Sequence, residues 1–513
     1  MTKKNFCILL IVFFSVSLQS KVRVSSLFSD HGVIQRGIPI KVWGWASPSE
    51  KITVDFVGKT LETVADSKGN WSVTFPAQKV GEPKMLKITA ENTLVIKDLL
   101  FGEVWVASGQ SNMEWSLKKI IDGDLEPLLA NDPQLRILKV NNRGSQTPQK
   151  DIDGYWTLAN EDSVKDFSAV GYYFARDLRR ALGVPVGLIV NAWGGSAAEA
   201  WVPRENLESD SRYHTYLNLY DRIVANYNHK ESIAVFKKKL AHWKKLYDKA
   251  KKAGKFPPRK PKHTDPRYSQ LRPANLWNSR IYPLLNYGIK GVIWYQGETN
   301  TNRNRSYDYR YLLPVLIKTW RDHWGLGKFP FYWSQLTNFD KKEESQGVNS
   351  WAEMRESMTL VKQSIANTGQ AITTDLGEAK NIHPRRKLEV ARRLLRWALA
   401  KDYGYDLLCQ SPEFIKYSVQ TNKVLIILDQ TVKTLGLKDV LGFSVAGKDQ
   451  KFIPAKAKIN GKHVLVWHED IPNPIAVRYN WENNPKGNVI SHIDLPLTPF
   501  RTDSWKLNSQ LID

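Results

Sequence analysis

Cysteine is almost missing from this chain of 513 residues, where Cys7 and Cys409 are the only two. Cys7 sits in an N-terminal apolar run that export would remove, so Cys409 stands alone and no internal disulfide forms. Thiolate clusters for zinc or iron–sulfur chemistry are excluded with it. The sequence also lacks an HExxH histidine pair, a GxxxxGK[ST] phosphate loop and a GxSxG elbow. Zincin chemistry, P-loop nucleotide chemistry and a lipase-type site therefore have nothing to stand on, and neither a metal nor a cofactor is expected. After residue 20 no apolar run approaches the roughly 20 residues a membrane span needs. Acidic residues are in short supply, 51 Asp and Glu against 74 Lys and Arg, for a formal net charge of +23.

Such a basic excess invites a nucleic-acid reading, but its scatter along the chain and the signs of export argue against one. The one dense block is "KKKLAHWKKLYDKAKKAGKFPPRKPKH" at 237–263. Anionic glycans or acidic sugars are better partners for that field. The signs of export lie in residues 1–20: Lys3 and Lys4, an apolar stretch from Phe6 to Phe14, then Ser15, Ser17 and Ser20. This is the pattern of a secretory signal peptide, and the mature chain is expected in the periplasm or outside the cell, with no transmembrane segment.

With 42% hydrophobic and 24% charged residues the chain reads as globular, and its length calls for more than one core. Residues 21–98 read as a small β domain: "IPIKVWGWA", "KITVDFVG", "NWSVTFPA" and "KMLKITAEN" are short strands, with "DSKGN" as a hairpin turn. Over 99–405 the pattern turns to strand then helix. Apolar strands are predicted at 103–107, 186–193, 290–295, 330–336 and 370–375, with helical periods such as Phe167, Val170, Phe174 and Leu178 between them. That alternation predicts an α/β fold, a parallel sheet flanked by helices, with ligands bound at the carboxyl ends of the strands. A basic amphipathic helix with a Phe236, Leu240, Trp243, Tyr247 stripe interrupts it as an insertion over 229–265, its stripe expected to pack on the main domain. Residues 406–513 return to β, with a hairpin at Asn460-Gly461.

The chemistry gathers where strands end. "WVASGQSNMEWS" (105–116) is a buried strand breaking into a polar turn, and either Ser108 or Ser111 is placed to act as a nucleophile or merely to cap a helix. "NAWGGS" ends the next strand with Gly194 and Gly195, "WYQGETN" offers Gln296 and Asn300 as amide donors around Glu298, and "DLGEAKNIHPRRK" holds His383. A hydroxyl, an imidazole and N–H donors are the parts of acyl transfer. Glu298 has no second carboxylate to make a glycosidase pair, and reads as a residue that orients Arg280 or Arg385.

Four co-linear blocks, "FGEVWVASGQSNMEW", "WGGSAAEAW", "LWNSRIYPLLNYGIKGVIWYQGETN" and "IHPRRK", resemble the sialate O-acetylesterase family of SGNH hydrolases, a likeness running from about residue 22 to the C-terminus. The resemblance implies a flavodoxin-like SGNH sheet and hydrolysis of O-acetyl esters on sugars by a Ser-His mechanism without cofactor. It places Ser111 as nucleophile, His383 as general base, and the N–H groups of Ser111 and Gly195 in the oxyanion hole with Gln296 or Asn300 as third donor. The family often has Asp three residues before this His, where this chain has Lys380. That leaves a Ser-His dyad oriented by a backbone carbonyl, or Asp375 or Glu378 reaching in as the acid. The family's architecture also serves acetylated xylan, and a glycan-binding protein with weak catalysis is the reading of a different class.

Overall fold

The computed structural model describes residues 21–340, 349–436 and 439–510. The stretch 1–20, read as a signal peptide, lies outside the described residues.

Six parallel strands form the centre. In spatial order they are Asn131–Lys139, Val186–Ala192, Thr93–Gly109, Gly291–Tyr295, Phe331–Ser334 and Thr368–Ala371, with Trp156–Asn160 antiparallel at one edge. Val186–Ala192, Gly291–Tyr295 and Phe331–Ser334 are buried at every residue, as strands covered on both faces must be. Trp105 packs on Phe174 of the helix Ala169–Leu182, whereas Trp294 meets Trp320 of the helix Tyr309–Trp324. Trp294 pairs laterally with Ser108, which points away from Trp105, so the two helices cover opposite faces.

The chain leaves Thr93–Gly109 for the strands on one side and returns later to Gly291–Tyr295 on the other. A crevice opens where the strand order reverses, outside the carboxyl ends. Gly109 makes the turn into that crevice. Its φ of +129° suits glycine, and an added Cβ would lie 2.2 Å from the carbonyl oxygen of Tyr295.

The flanking regions modify two expectations. The β region before residue 98 is not set apart: Thr93–Gly109 is one strand of 17 residues that pairs with Lys84–Thr89 in its first half and with the parallel sheet in its second. A register of hydrogen bonds therefore runs through the expected boundary, and the apolar core is continuous across it. The turn "DSKGN" is present, held by Asp66 accepting from the N–H groups of Lys68 and Asn70, but it is not a hairpin turn. It carries the chain from Lys59–Val64 in one sheet to Asn70–Phe75 in the facing sheet, where Phe56 and Phe75 meet edge to face at 5.6 Å.

The C-terminal strands enclose a second core around Val424, Val445, Val466, Val477 and Leu497. Gly461, with φ +62°, closes the turn between Lys456–Asn460 and His463–Trp467. The basic insertion contains the helix His229–Lys252, none of whose residues is buried. Its aromatic stripe rests on its own return segment and not, as expected, on the main domain: Trp243 Nε1 donates to Pro258 O at 2.8 Å, and the Phe236 ring lies 5.5 Å from that of His263.

Candidate active site

Ser111 opens the short helix Ser111–Glu114 directly after the switch-point strand, and its Oγ lies 2.8 Å from Nε2 of His383. The two residues are 272 positions apart in the chain, and only the fold brings them together. Ser108 points the other way: its Oγ is buried and donates to Asn191 O at 2.6 Å. Around Ser111 lies an open cleft of about 1290 Å³, lined among others by Gln110, Glu114, Trp115, Gly194, Gly195, Glu298 and His383.

The imidazole is oriented without a carboxylate. No acidic side chain among the described residues is paired with His383. Asp375, expected as a third member, is held in a two-pronged ion pair by Arg393, both contacts at 2.6 Å. Glu378 accepts from the N–H and Nε of Arg385. Among the described residues no backbone carbonyl accepts from the ring in the acid's place either. Two other contacts set the residue: its backbone N–H donates to Asn381 Oδ1 at 3.0 Å and fixes the loop, and Trp115 stacks flat on the imidazole, with centroids 4.2 Å apart and an 8° interplanar angle. An indole face against the ring favours its cationic form when a proton arrives. In the resting site burial, with the charges of Lys387 and Lys119, lowers the His383 pKa to about 4. The imidazole is therefore neutral around pH 7, and the tautomer protonated on Nδ1 leaves Nε2 to accept the serine proton.

On the facing strand end, Gly194 and Gly195 bring backbone to the serine. A Cβ on Gly194 would sit 3.3 Å from Cβ of Ser111 and 3.1 Å from Oε2 of Glu114, so a side chain there would crowd the serine and the glutamate. The Gly194 N–H is already given to that Glu114 oxygen at 2.7 Å. The N–H groups of Gly195 and Ser111 have no partner among the described residues, and both residues line the cleft in which an oxyanion would form.

The remaining expected residues lie elsewhere. Gln296 and Asn300 are buried and turned inward: Gln296 Nε2 donates to Ser196 O and Asn300 Oδ1, and Asn300 Nδ2 donates to Glu199 Oε2. Neither amide lines the cleft as a third donor. Instead Asn300 Oδ1 also takes the N–H of Ala198, so the pair anchors the turn that carries Gly194 and Gly195. Arg280 is wholly buried and donates to Asn191 Oδ1 and Asn142 Oδ1, while Asn142 Nδ2 donates to Glu114. It touches the site through Glu114, and burial lowers its pKa to about 9. Arg385 belongs to Glu378, so Glu298 orients neither arginine.

Glu298 belongs to a buried chain that sequence reading missed. Lys387 Nζ donates to Asn112 Oδ1 at 2.5 Å, and Asn112 Nδ2 donates both to Glu298 Oε1 and, at 3.0 Å, to Ile382 O. One amide thus ties the residue after the serine to the residue before the histidine. Burial pushes the Glu298 carboxyl up and brings the Lys387 ammonium down to about 7. Glu114 and Trp115 were also missed as site residues. Their only signal is adjacency, since both stand within four residues of Ser111 inside the quoted block.

A serine hydroxyl bonded to an imidazole, beside free backbone N–H groups at the switch point of a parallel sheet, defines a serine-type hydrolase. The chain belongs to the family described as carbohydrate esterase, sialic acid-specific acetylesterase, whose sequence model matches residues 102–237 and 275–393. It is similar to a carbohydrate acetylesterase from Xanthomonas citri of known crystal structure, at 35% identity, covering 94% of this chain and all of that one with a TM-score of 0.80. It is also similar to the sialate O-acetylesterases of Mus musculus, 27% identical over 96% of this chain and 97% of that protein, and Pongo abelii, 29% identical over 86% and 84%. The enzyme is an esterase.

Proposed function

We propose that the enzyme removes O-acetyl groups from sugars, sialic acids among them, by a covalent Ser-His mechanism. The observation that carries the mechanism is the 2.8 Å contact between Ser111 Oγ and His383 Nε2. His383 takes the serine proton as Oγ attacks the acetyl carbonyl. The N–H groups of Ser111 and Gly195 receive the oxyanion, and Trp115 faces the imidazolium. His383 then passes its proton to the departing sugar oxygen, leaving acetyl-Ser111. Water, deprotonated by the same imidazole, attacks that ester, and collapse returns the proton to Oγ and frees acetate.

Names of relatives support sialate esters, and the SGNH-type architecture equally suits acetylated xylan. Export, read from residues 1–20, is part of the same proposal, because large acetylated glycans are met outside the cytoplasm. The test is acetate release from O-acetylated sialic acid, acetylated xylan and 4-nitrophenyl acetate by the parent enzyme and by Ser111→Ala. Loss of at least 10³-fold in kcat on every ester is expected. Near-parental release by Ser111→Ala would remove the mechanism.

A further inference from the structure

Residues 238–274 fall between the two segments that the family's sequence model matches, yet several of them line the same cleft as Ser111. The helix His229–Lys252 folds back on its return segment through Trp243, Phe236 and His263. This self-packed hairpin delivers Arg259 and Lys262 to the cleft wall, and Lys119 and Lys139 line the same cleft.

The carboxylates of this cleft do not neutralise those cations. Asp166 is paired with Lys118 at 2.7 Å, and Asp265 with Arg267 at 2.7 Å. Glu114 is held by the Gly194 N–H and Asn142, and Glu298 is buried beneath the serine turn. Arg259 and Lys262 are exposed and form no ion pair among the described residues. Beyond them the hairpin continues the same charge: the helix has 24 residues, about 36 Å of length, with Lys237, Lys238, Lys239, Lys244, Lys245 and Lys249 along it. A low-dielectric cleft that opens on such a surface concentrates anions of extended shape.

We infer that this insertion is a distal subsite for a polyanionic glycan chain, so that the acetyl ester cut at Ser111 is borne by a polymer carrying repeated carboxylates. The inference rests on the esterase reading above. Arg259 and Lys262 meet carboxylates on sugar units beyond the acetylated one, and the lysines of the helix extend the track. Neutral esters gain nothing from it.

The full chain and the exposed double variant Arg259→Ser/Lys262→Ser are compared on acetylated polygalacturonate, acetylated xylan and 4-nitrophenyl acetate, at low and at moderate salt. On the charged polymer the variant is expected to raise KM about three- to tenfold with kcat unchanged, and the parent's KM to climb with salt. On xylan and the small ester the two proteins behave alike. Equal KM for parent and variant on the charged polymer, or no salt effect on the parent, overturns the subsite. Absence of turnover on 4-nitrophenyl acetate by the parent overturns the esterase reading instead, so the two failures are separable.

Discussion

Asn112→Asp tests whether the amide beneath the serine couples the two halves of the site. The side chains are nearly the same shape, and an aspartate still accepts from Lys387 Nζ. What is lost is the donor: in the parent, Asn112 Nδ2 serves both Glu298 Oε1 and Ile382 O. Each buried acceptor left without its hydrogen costs about 1–3 kcal/mol, so the substitution is expected to lower stability by roughly 2–6 kcal/mol. A second carboxylate against Glu298 also drives the Glu298 pKa further up. The bond to Ile382 O is the one that fixes the loop before His383, and about 1–3 kcal/mol of misplacement there corresponds to roughly 5- to 150-fold in kcat. The measurements are urea unfolding and steady-state hydrolysis of 4-nitrophenyl acetate from pH 5 to 8. Part of the loss should return toward pH 5, since protonated Glu298 becomes a donor to the new aspartate. A variant that matches the parent in both midpoint and kcat refutes the reasoning, and one that is destabilised but fully active refutes the coupling to His383.

Further outcomes follow from the same geometry. Asp375→Asn removes the ion pair with Arg393, and is expected to cost about 1 kcal/mol of stability while kcat stays within about threefold of the parent; a fall of thousands-fold, as for loss of a triad acid, would show that Asp375 serves His383 after all. The pH profile of kcat/KM should keep its acid limb near 4, because His383 must be neutral to accept the serine proton and its pKa is lowered to about 4. Lys119→Gln removes one of the charges that depress it and should move that limb upward. Stability follows the same sign: the unfolded chain protonates His383 near 6.5 and the folded protein only near 4, so stability falls as pH falls between these values. A limb near 6.5 in the parent would contradict the burial argument.

The parts of the site were legible because each is local. A buried strand that breaks at Ser-Gly-Gln-Ser-Asn, a Gly-Gly pair closing the next strand, and a histidine in the loop before a basic helix leave marks within a dozen residues. The parallel order of the apolar strands could be read in the same way, since strands buried on both faces must be apolar throughout. Partnership could not. Asp375 and Glu378 are upstream of His383 in the chain, but Arg393 and Arg385 claim them, and their choice depends on where the following helix turns. Gln296 and Asn300 look like donors in "WYQGETN", yet at this strand end their amides point into protein and hold the glycine turn from behind.

By itself the sequence determined which residues are chemically able to act: the hydroxyl, the imidazole and the glycines that let backbone come close. The tertiary structure alone decided which of them meet. The choice of Arg393 and Arg385 by the carboxylates, 18 and 7 residues away, is set by how the loop around His383 folds, and side-chain direction at a strand end by packing between segments far apart in the chain; no local pattern encodes either. The stacking of Trp115 on His383 and the amide link through Asn112 are of that kind.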